Sequence, residues 1–489
     1  MILKQQIEEE VVLDIQDSIK PYALGEVHDY KVPAKLPASI FRAYDIRGIV
    51  DEELTADVVY AIALALGTEA RCQNIQSIAI GRDGRKSGLQ FAQALSCGLR
   101  DTGCQVIDVG MVPTPVLYFA THYLETTSGV MITGSHNPTN YNGLKIVLDG
   151  KTLNTGAIQA IYQRIINEKF VFGQGQYKEQ VVTHAYLHAI QDRISLARPL
   201  SVVIDCGNGA AGLVAPQLFK SLGCELTLLY PEVDGNFPNH HPDPTIPANL
   251  VDLQNKVKEV DADIGLAFDG DADRLGVVLP SGKIVWPDRQ LMLFAKELLE
   301  REPGAKIVFD VKCTANLPKF IKKYGGEPIM WRTGHSVLKA KMVEEQSLLS
   351  GEMSGHLFFK DGWFGFDDGV YAAARLLSIL AADDRDPEEI FARIPDAVST
   401  PEIKVDMPDE KKADFMAKLS AVHFEAANIV RIDGLRIEYA MGWGLVRSSN
   451  TTPCLTLRFE AIDKESLERV KEKIRSAMLS VDADLVLGF

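Results

Sequence analysis

Three times along the chain a short β-branched run ends in a polar turn and leads into a helical segment. The three are SIAIGRDGRKSG (77–88), SVVIDCGNGAAG (201–212) and KIVFDVKCTAN (306–316). Each is followed by a second strand-like run: CQVIDVG (104–110), CELTLLY (224–230) and EPIMWR (327–332). A third run then closes each unit on a polar loop: MITGSHNP (131–138), GLAFDGDADR (265–274) and SLLSGEMSGH (347–356). Strands that alternate with helical segments predict βαβ units and mostly parallel sheets. Ligands of such sheets sit beyond the carboxyl ends of the strands. The repeat therefore predicts an α/β protein of three similar mixed α/β domains, each lending one loop to a central cleft.

The pattern changes at about Pro395, where a C-terminal α+β domain begins. It predicts strands near 429–439 and 454–460 and a charged helix from about Lys464 to Leu479, with GWGLVRSSNTTP (442–453) between the strands. At the other end, residues 1–20 read as one amphipathic helix. A polar, proline-containing linker from Pro21 to Pro37 follows, and the compact part starts near Leu36. The expected division is 1–35, 36–180, 181–283, 284–395 and 396–489.

A chain of 489 residues is too long for one core. Its net charge of −15 argues against nucleic acid or an anionic membrane as a partner. An anionic substrate would need its basic residues concentrated at one site. The apolar run from Val58 to Leu66 is too short to span a bilayer, and the acidic first residues lack a signal-peptide core. Seven scattered cysteines, with no CxxC pair, suit a reducing cytoplasm better than disulfides or a zinc site. The oligomeric state is open, a monomer included.

The sharpest chemical signal is Asp269-Gly270-Asp271-Ala272-Asp273-Arg274. Three carboxylates at alternate positions of a turn can converge on one hard cation. A calcium EF-hand fails on spacing, because its glycine position holds Arg274 and its final glutamate position holds Pro280. An arginine directly after the ligands suggests an anion beside the metal, and Mg²⁺ pairs naturally with phosphate. Ser135 ends an apolar run without the G-x-S-x-G of a hydrolase elbow. Alone it reads equally as a helix cap. With His136 and Lys145 as positive charges and Asn137 and Asn140 as hydrogen-bonding groups, it suits a phosphoryl group. GEMSGH (351–356) offers Glu352 for sugar hydroxyls, with Ser354 and His356 beside it. RSSNTTP (447–453) suits a phosphate monoester. Gly207-Asn208-Gly209-Ala210-Ala211-Gly212 matches the dinucleotide fingerprint on paper. Its counterparts in the other two units lack it, and glycine-rich turns are common in such domains.

Taken together, YDIRG (44–48), TGSHNP (133–138), DGDADR (269–274), GEMSGH (351–356) and RSSNTTP (447–453), in this order, resemble the α-D-phosphohexomutase superfamily. Within it, the bacterial phosphomannomutase/phosphoglucomutase group is the nearest match. The resemblance runs from about residue 36 to the end. The metal loop there often reads DGDGDR, so Ala272 departs from it without changing a ligand.

This resemblance implies four domains around one cleft, with Ser135 as a phosphoserine. It implies Mg²⁺ held by Asp269, Asp271, Asp273 and a phosphoserine oxygen. Glu352 and Ser354 would grip the sugar. Arg447, Ser449, Asn450, Thr451 and Thr452 would hold the phosphate that does not react. Tyr44, Arg47, Lys145, Arg274, His335 and His356 would line the reaction centre, with Lys145, His335 and Arg47 expected to move protons and offset charge. The implied activity is interconversion of hexose 1-phosphate and 6-phosphate, of mannose or glucose, with hexose 1,6-bisphosphate as intermediate and activator. Polysaccharide precursor synthesis is the implied setting. A phosphoglucosamine mutase, an NAD-dependent sugar oxidoreductase and a non-catalytic sugar-phosphate binder are the competing readings.

Overall fold

The computed structural model describes residues 28–449 and 452–489. The expected helix at 1–20 lies outside them, as do Asn450 and Thr451. Four sheets divide the described chain into three α/β units and a C-terminal α+β unit.

The first three units share one plan. A central strand is flanked on both sides by parallel neighbours. These central strands are Ser77–Arg82, Ser201–Asp205 and Lys306–Asp310. Gln105–Met111, Glu225–Leu229 and Glu327–Trp331 lie on one side. Gly129–Ile132, Ile264–Phe268 and Leu349–Gly351 lie on the other. The sheets are less parallel than the strand–helix alternation suggests. Each third strand folds straight back into an antiparallel partner: Tyr141–Leu148, Leu275–Val278 and Leu357–Phe359. A tight reversal of this kind needs no crossover helix. Each functional loop is therefore a hairpin turn at the carboxyl end of a buried strand. The loops of the second and third units meet directly, since Arg274 and His356 form an antiparallel bridge.

One apolar core runs from the helix Thr114–Tyr123 through the second and third units, while the outer face of the first unit has its own. The run Val58–Leu66 lies in the helix Ala56–Cys72, buried nearly all round as an interior helix is. Among the described residues no helix is long and apolar enough to cross a membrane. Residues 28–35 are not free of the body: the Tyr30 ring stacks on Tyr60 at 5.8 Å, and His28 Nε2 lies 2.9 Å from Asp101.

In the C-terminal unit the stretch expected between two strands is itself a strand, Gly442–Ser448, paired on both sides. Its two glycines hid it: Gly442 and Gly444 lie where a Cβ would strike Glu460 O at 2.3 Å and Ile474 Cδ1 at 2.2 Å. The helix Lys464–Val481 starts where the charge pattern indicated.

Candidate active site

The strand Gly129–Ile132 is wholly buried, and its turn has no sheet ladder to hold it. Side chains from the neighbouring strand end do so instead. Asp83 accepts from Thr133 Oγ1 at 2.7 Å and from Gly134 N at 3.3 Å. Arg85 donates to the carbonyls of Ser135, Asn137, Pro138 and Tyr141 at 2.6–2.8 Å. Gly134 is required there, since a Cβ would lie 2.4 Å from the guanidinium carbon.

Ser135 then sits at φ +48°, a left-handed conformation that costs a non-glycine residue about 1–2 kcal/mol. No helix starts at Ser135; the next element is the strand Tyr141–Leu148, so it is not a cap. Its Oγ donates to Asp269 Oδ2 at 2.8 Å and lies 3.1 Å from His136 Nδ1. His136 does not supply the positive charge expected of it. Burial first, then Arg274 and Arg47, hold its pKa well below the ordinary histidine value. Arg85→Lys would satisfy at most part of the four carbonyls. We expect kcat to fall roughly 100-fold, the order that a small misplacement costs, with faster hydrogen exchange over residues 133–141. Unchanged kcat and exchange would show that the loop holds itself.

Asp269, Asp271 and Asp273 are fully buried, and among the described residues their ligand atoms lie within 4.8 Å of one another. Lys145 Nζ donates to Asp271 Oδ2 at 2.7 Å and also to Asp273 Oδ2. Thr114 Oγ1 donates to the same Asp271 oxygen. Asp271 Oδ1 is buried without a hydrogen-bond partner. Burial, Asp273 and Asp271 push the Asp269 carboxyl well above the usual range. Burial would do the same to Asp273, but Lys145 and His356 hold it well below. Three hard oxygen donors in mutual repulsion, with Asp271 Oδ1 bare, fit a divalent cation. They could hold it together with an oxygen on Ser135.

The third hairpin turn brings Glu352 against this centre. Glu352 Oε1 accepts from Gly334 N, and Oε2 lies 2.7 Å from His356 Nδ1. Ser354 Oγ is 3.1 Å from the same nitrogen. His356 Nε2 is 3.3 Å from Asp273 Oδ1. Burial opposes charging of His356, but Asp273 and Glu352 together outweigh it and push the pKa up to about 9. His335, first residue of the helix His335–Glu345, behaves oppositely: burial, then Lys339 and Lys145, keep it well below the ordinary value. Tyr44 OH donates to Thr333 O at 2.9 Å, and Arg47 joins Asp45 to Asn137 of the serine loop. Tyr44, Arg47, Ser135, Lys145, Arg274, His335, Glu352, Ser354 and His356 thus border one region.

The C-terminal unit reaches it through Asp433, which accepts from Thr333 N at 3.1 Å and from Arg447 Nε at 3.2 Å. Arg447 lies in the strand, one residue before its end, rather than in a loop. Ser449 Oγ pairs with Thr452 Oγ1 at 2.8 Å, and Lys412 Nζ donates to both carbonyls, at 2.6 and 3.1 Å.

Family models described as phosphoglucomutase/phosphomannomutase alpha/beta/alpha domains I, II and III match residues 38–172, 184–282 and 286–398. The model of the C-terminal domain matches residues 402–477. The chain belongs to the phosphoglucomutase/phosphomannomutase family. It is 54% identical over 455 residues to a phosphomannomutase/phosphoglucomutase of Pseudomonas aeruginosa, covering 93% of this chain and 98% of that protein. It is 50% identical over 452 residues to a phosphoglucomutase of Neisseria gonorrhoeae, covering 91% and 98%. A crystal structure of a phosphoglucomutase/phosphomannomutase family protein from Burkholderia thailandensis superposes with a TM-score of 0.88 at 49% identity, covering 93% and 100%. Enzymes so named are mutases, a class of isomerase, and this chain is one of them.

Close packing accounts for the dinucleotide-like glycines. Ala210 N donates to Gly270 O at 3.0 Å, and a Cβ on Gly212 would strike Pro231 O at 1.9 Å. Gly209 lets this turn press against the metal loop, where a Cβ would lie 2.9 Å from Gly270 O, and the helix that follows, Ala215–Ser221, is short. Sequence reasoning missed Asp83, Arg85, Thr114, Asp433 and Lys412, which hold the phosphoglucomutase/phosphomannomutase site residues rather than sit in its motifs. It also missed two groups beside the site, a half-buried lysine and a buried aspartate. Lys312 Nζ pairs with Glu402 at 3.2 Å, and Asp367 lies between Lys339 at 2.8 Å and His335 at 3.6 Å. The one available signal for Arg85 and Lys312 was position, since both follow a central strand of the repeat.

Proposed function

We propose that this enzyme interconverts the 1-phosphate and 6-phosphate of mannose and of glucose through a phosphoserine at Ser135. The observation that carries the reading is the Ser135 Oγ bonded to Asp269 inside the acidic triad. Arg447, Ser449, Asn450, Thr451 and Thr452, with Lys312, bind the phosphate that does not react. Glu352 and Ser354 orient the sugar.

The free sugar hydroxyl attacks the phosphorus of phospho-Ser135. The new O–P bond forms as the Ser135 O–P bond breaks, and the hydroxyl proton passes to a base. His335, held neutral, suits that task. Lys145, an ammonium clamped between Asp271 and Asp273, suits charge stabilisation beside Arg274 and Arg47. Asp269, Asp271 and Asp273 would hold Mg²⁺, which offsets charge on the transferring phosphoryl group. The hexose 1,6-bisphosphate so formed turns over in the cleft and returns its other phosphate to Ser135. The same bisphosphate then primes an unphosphorylated enzyme. Closure of the C-terminal unit, through Asp433 and Thr333, keeps water from the phosphoserine. All seven cysteines carry free thiols, which supports a reducing compartment, the cytoplasm.

Phosphorus NMR tests the reaction and its substrates. With Mg²⁺ and a trace of glucose 1,6-bisphosphate, mannose 1-phosphate and glucose 1-phosphate should each convert to the 6-phosphate. Conversion of glucosamine 1-phosphate alone would overturn the substrate, and conversion of none would overturn the mutase reading of this site.

A further inference from the structure

We propose that Thr114 is a positioning residue for the cation. Its hydroxyl holds the Asp271 carboxylate with one oxygen turned back and the other turned to the metal, and the affinity of the site depends on it. The inference rests on the reading of Asp269, Asp271 and Asp273 as ligands. Thr114 belongs to the first unit and Asp271 to the second, 157 residues away. Thr114 is fully buried and opens the helix Thr114–Tyr123, between Pro113 and Pro115.

Two bonds cross from it to the metal loop. Its N–H donates to Asp271 O at 2.9 Å, and its Oγ1 donates to Asp271 Oδ2. Lys145 Nζ donates to that same Oδ2. Asp271 Oδ2 therefore has two protein donors, while Oδ1 is buried and has none. A carboxylate so held offers one oxygen, the posture suited to a small cation with strict geometry. Without the hydroxyl, Lys145 alone would restrain it. Lys145 also serves Asp273, so it could follow either carboxylate. Partners that orient a metal ligand typically carry 10–100-fold in metal affinity.

The test is Mn²⁺ binding to the full-length, dephosphorylated protein, read by electron paramagnetic resonance of the free ion, with no turnover required. Wild type is compared with Thr114→Val, Thr114→Ala, Thr114→Ser and Asp271→Ala. Thr114→Val, which keeps the shape, should bind roughly 10–100-fold more weakly. Thr114→Ala should do the same and serves if valine does not fold, and Thr114→Ser should restore binding. Wild-type affinity in the valine or alanine variant, with Asp271→Ala impaired, would overturn the role of Thr114 alone. Serine as weak as valine would also overturn it, because the methyl packing would then be the cause. Unimpaired binding in Asp271→Ala would overturn the metal-loop reading beneath it.

Discussion

Ser135→Ala should lower kcat/KM for glucose 1-phosphate by on the order of 10⁴-fold or more, because the variant lacks the oxygen that carries the phosphoryl group. The remaining binding groups could still hold the sugar phosphate, so KM should move far less than kcat. Intact-mass spectrometry after incubation with glucose 1,6-bisphosphate should show a phosphoryl adduct on wild type and none on the variant. The backbone supplies an internal control. Ser135 lies at φ +48°, so alanine inherits the strain and glycine escapes it. Ser135→Gly should be equally inactive yet more stable than Ser135→Ala by about 1 kcal/mol, read from the urea midpoint. An active alanine variant would remove Ser135 from the chemistry. Inactivity with an altered fold would show up as a loss of cooperative unfolding, which the glycine variant guards against.

Asp271→Ala should abolish the Mg²⁺ dependence of activity and reduce turnover roughly 10³-fold, as expected when several kcal/mol of charge stabilisation is lost. The carboxylates here repel one another: Asp269 is pushed well above the usual range by burial and by Asp273 and Asp271. Removing one relieves part of that repulsion, while Lys145 keeps Asp273 as its partner. The variant should therefore fold. Mg²⁺ should raise the melting temperature of wild type, since it binds the folded state alone, and leave that of Asp271→Ala unmoved. An unchanged Mg²⁺ response in rate and melting would place the cation elsewhere.

Much of the fold was legible along the chain. The nine strands of the threefold repeat are short and mostly apolar, and that pattern is local. The hairpin loops were legible too, since serine, aspartate and glutamate beside glycine at strand ends mark chemistry. The strand Gly442–Ser448 was not, because its glycines answer to neighbours in space, Glu460 and Ile474. Nor was the grip of Arg85 on the serine loop, which joins residues 50–56 positions apart.

The sequence by itself determined the strand–turn–helix repeat, the order of the five motif loops and the residue types they present, because periodicity and turn chemistry are properties of neighbours along the chain. Only the tertiary structure decided the charge and partner of each group. Lys145 was free, on sequence grounds, to serve Ser135, yet it pairs with Asp271 and Asp273, 126 and 128 residues away. His136 and His356 are the same residue type beside serines, yet one is held neutral and the other charged. Burial opposes charging of both, and the charges that three meeting loops bring to each ring then set its state.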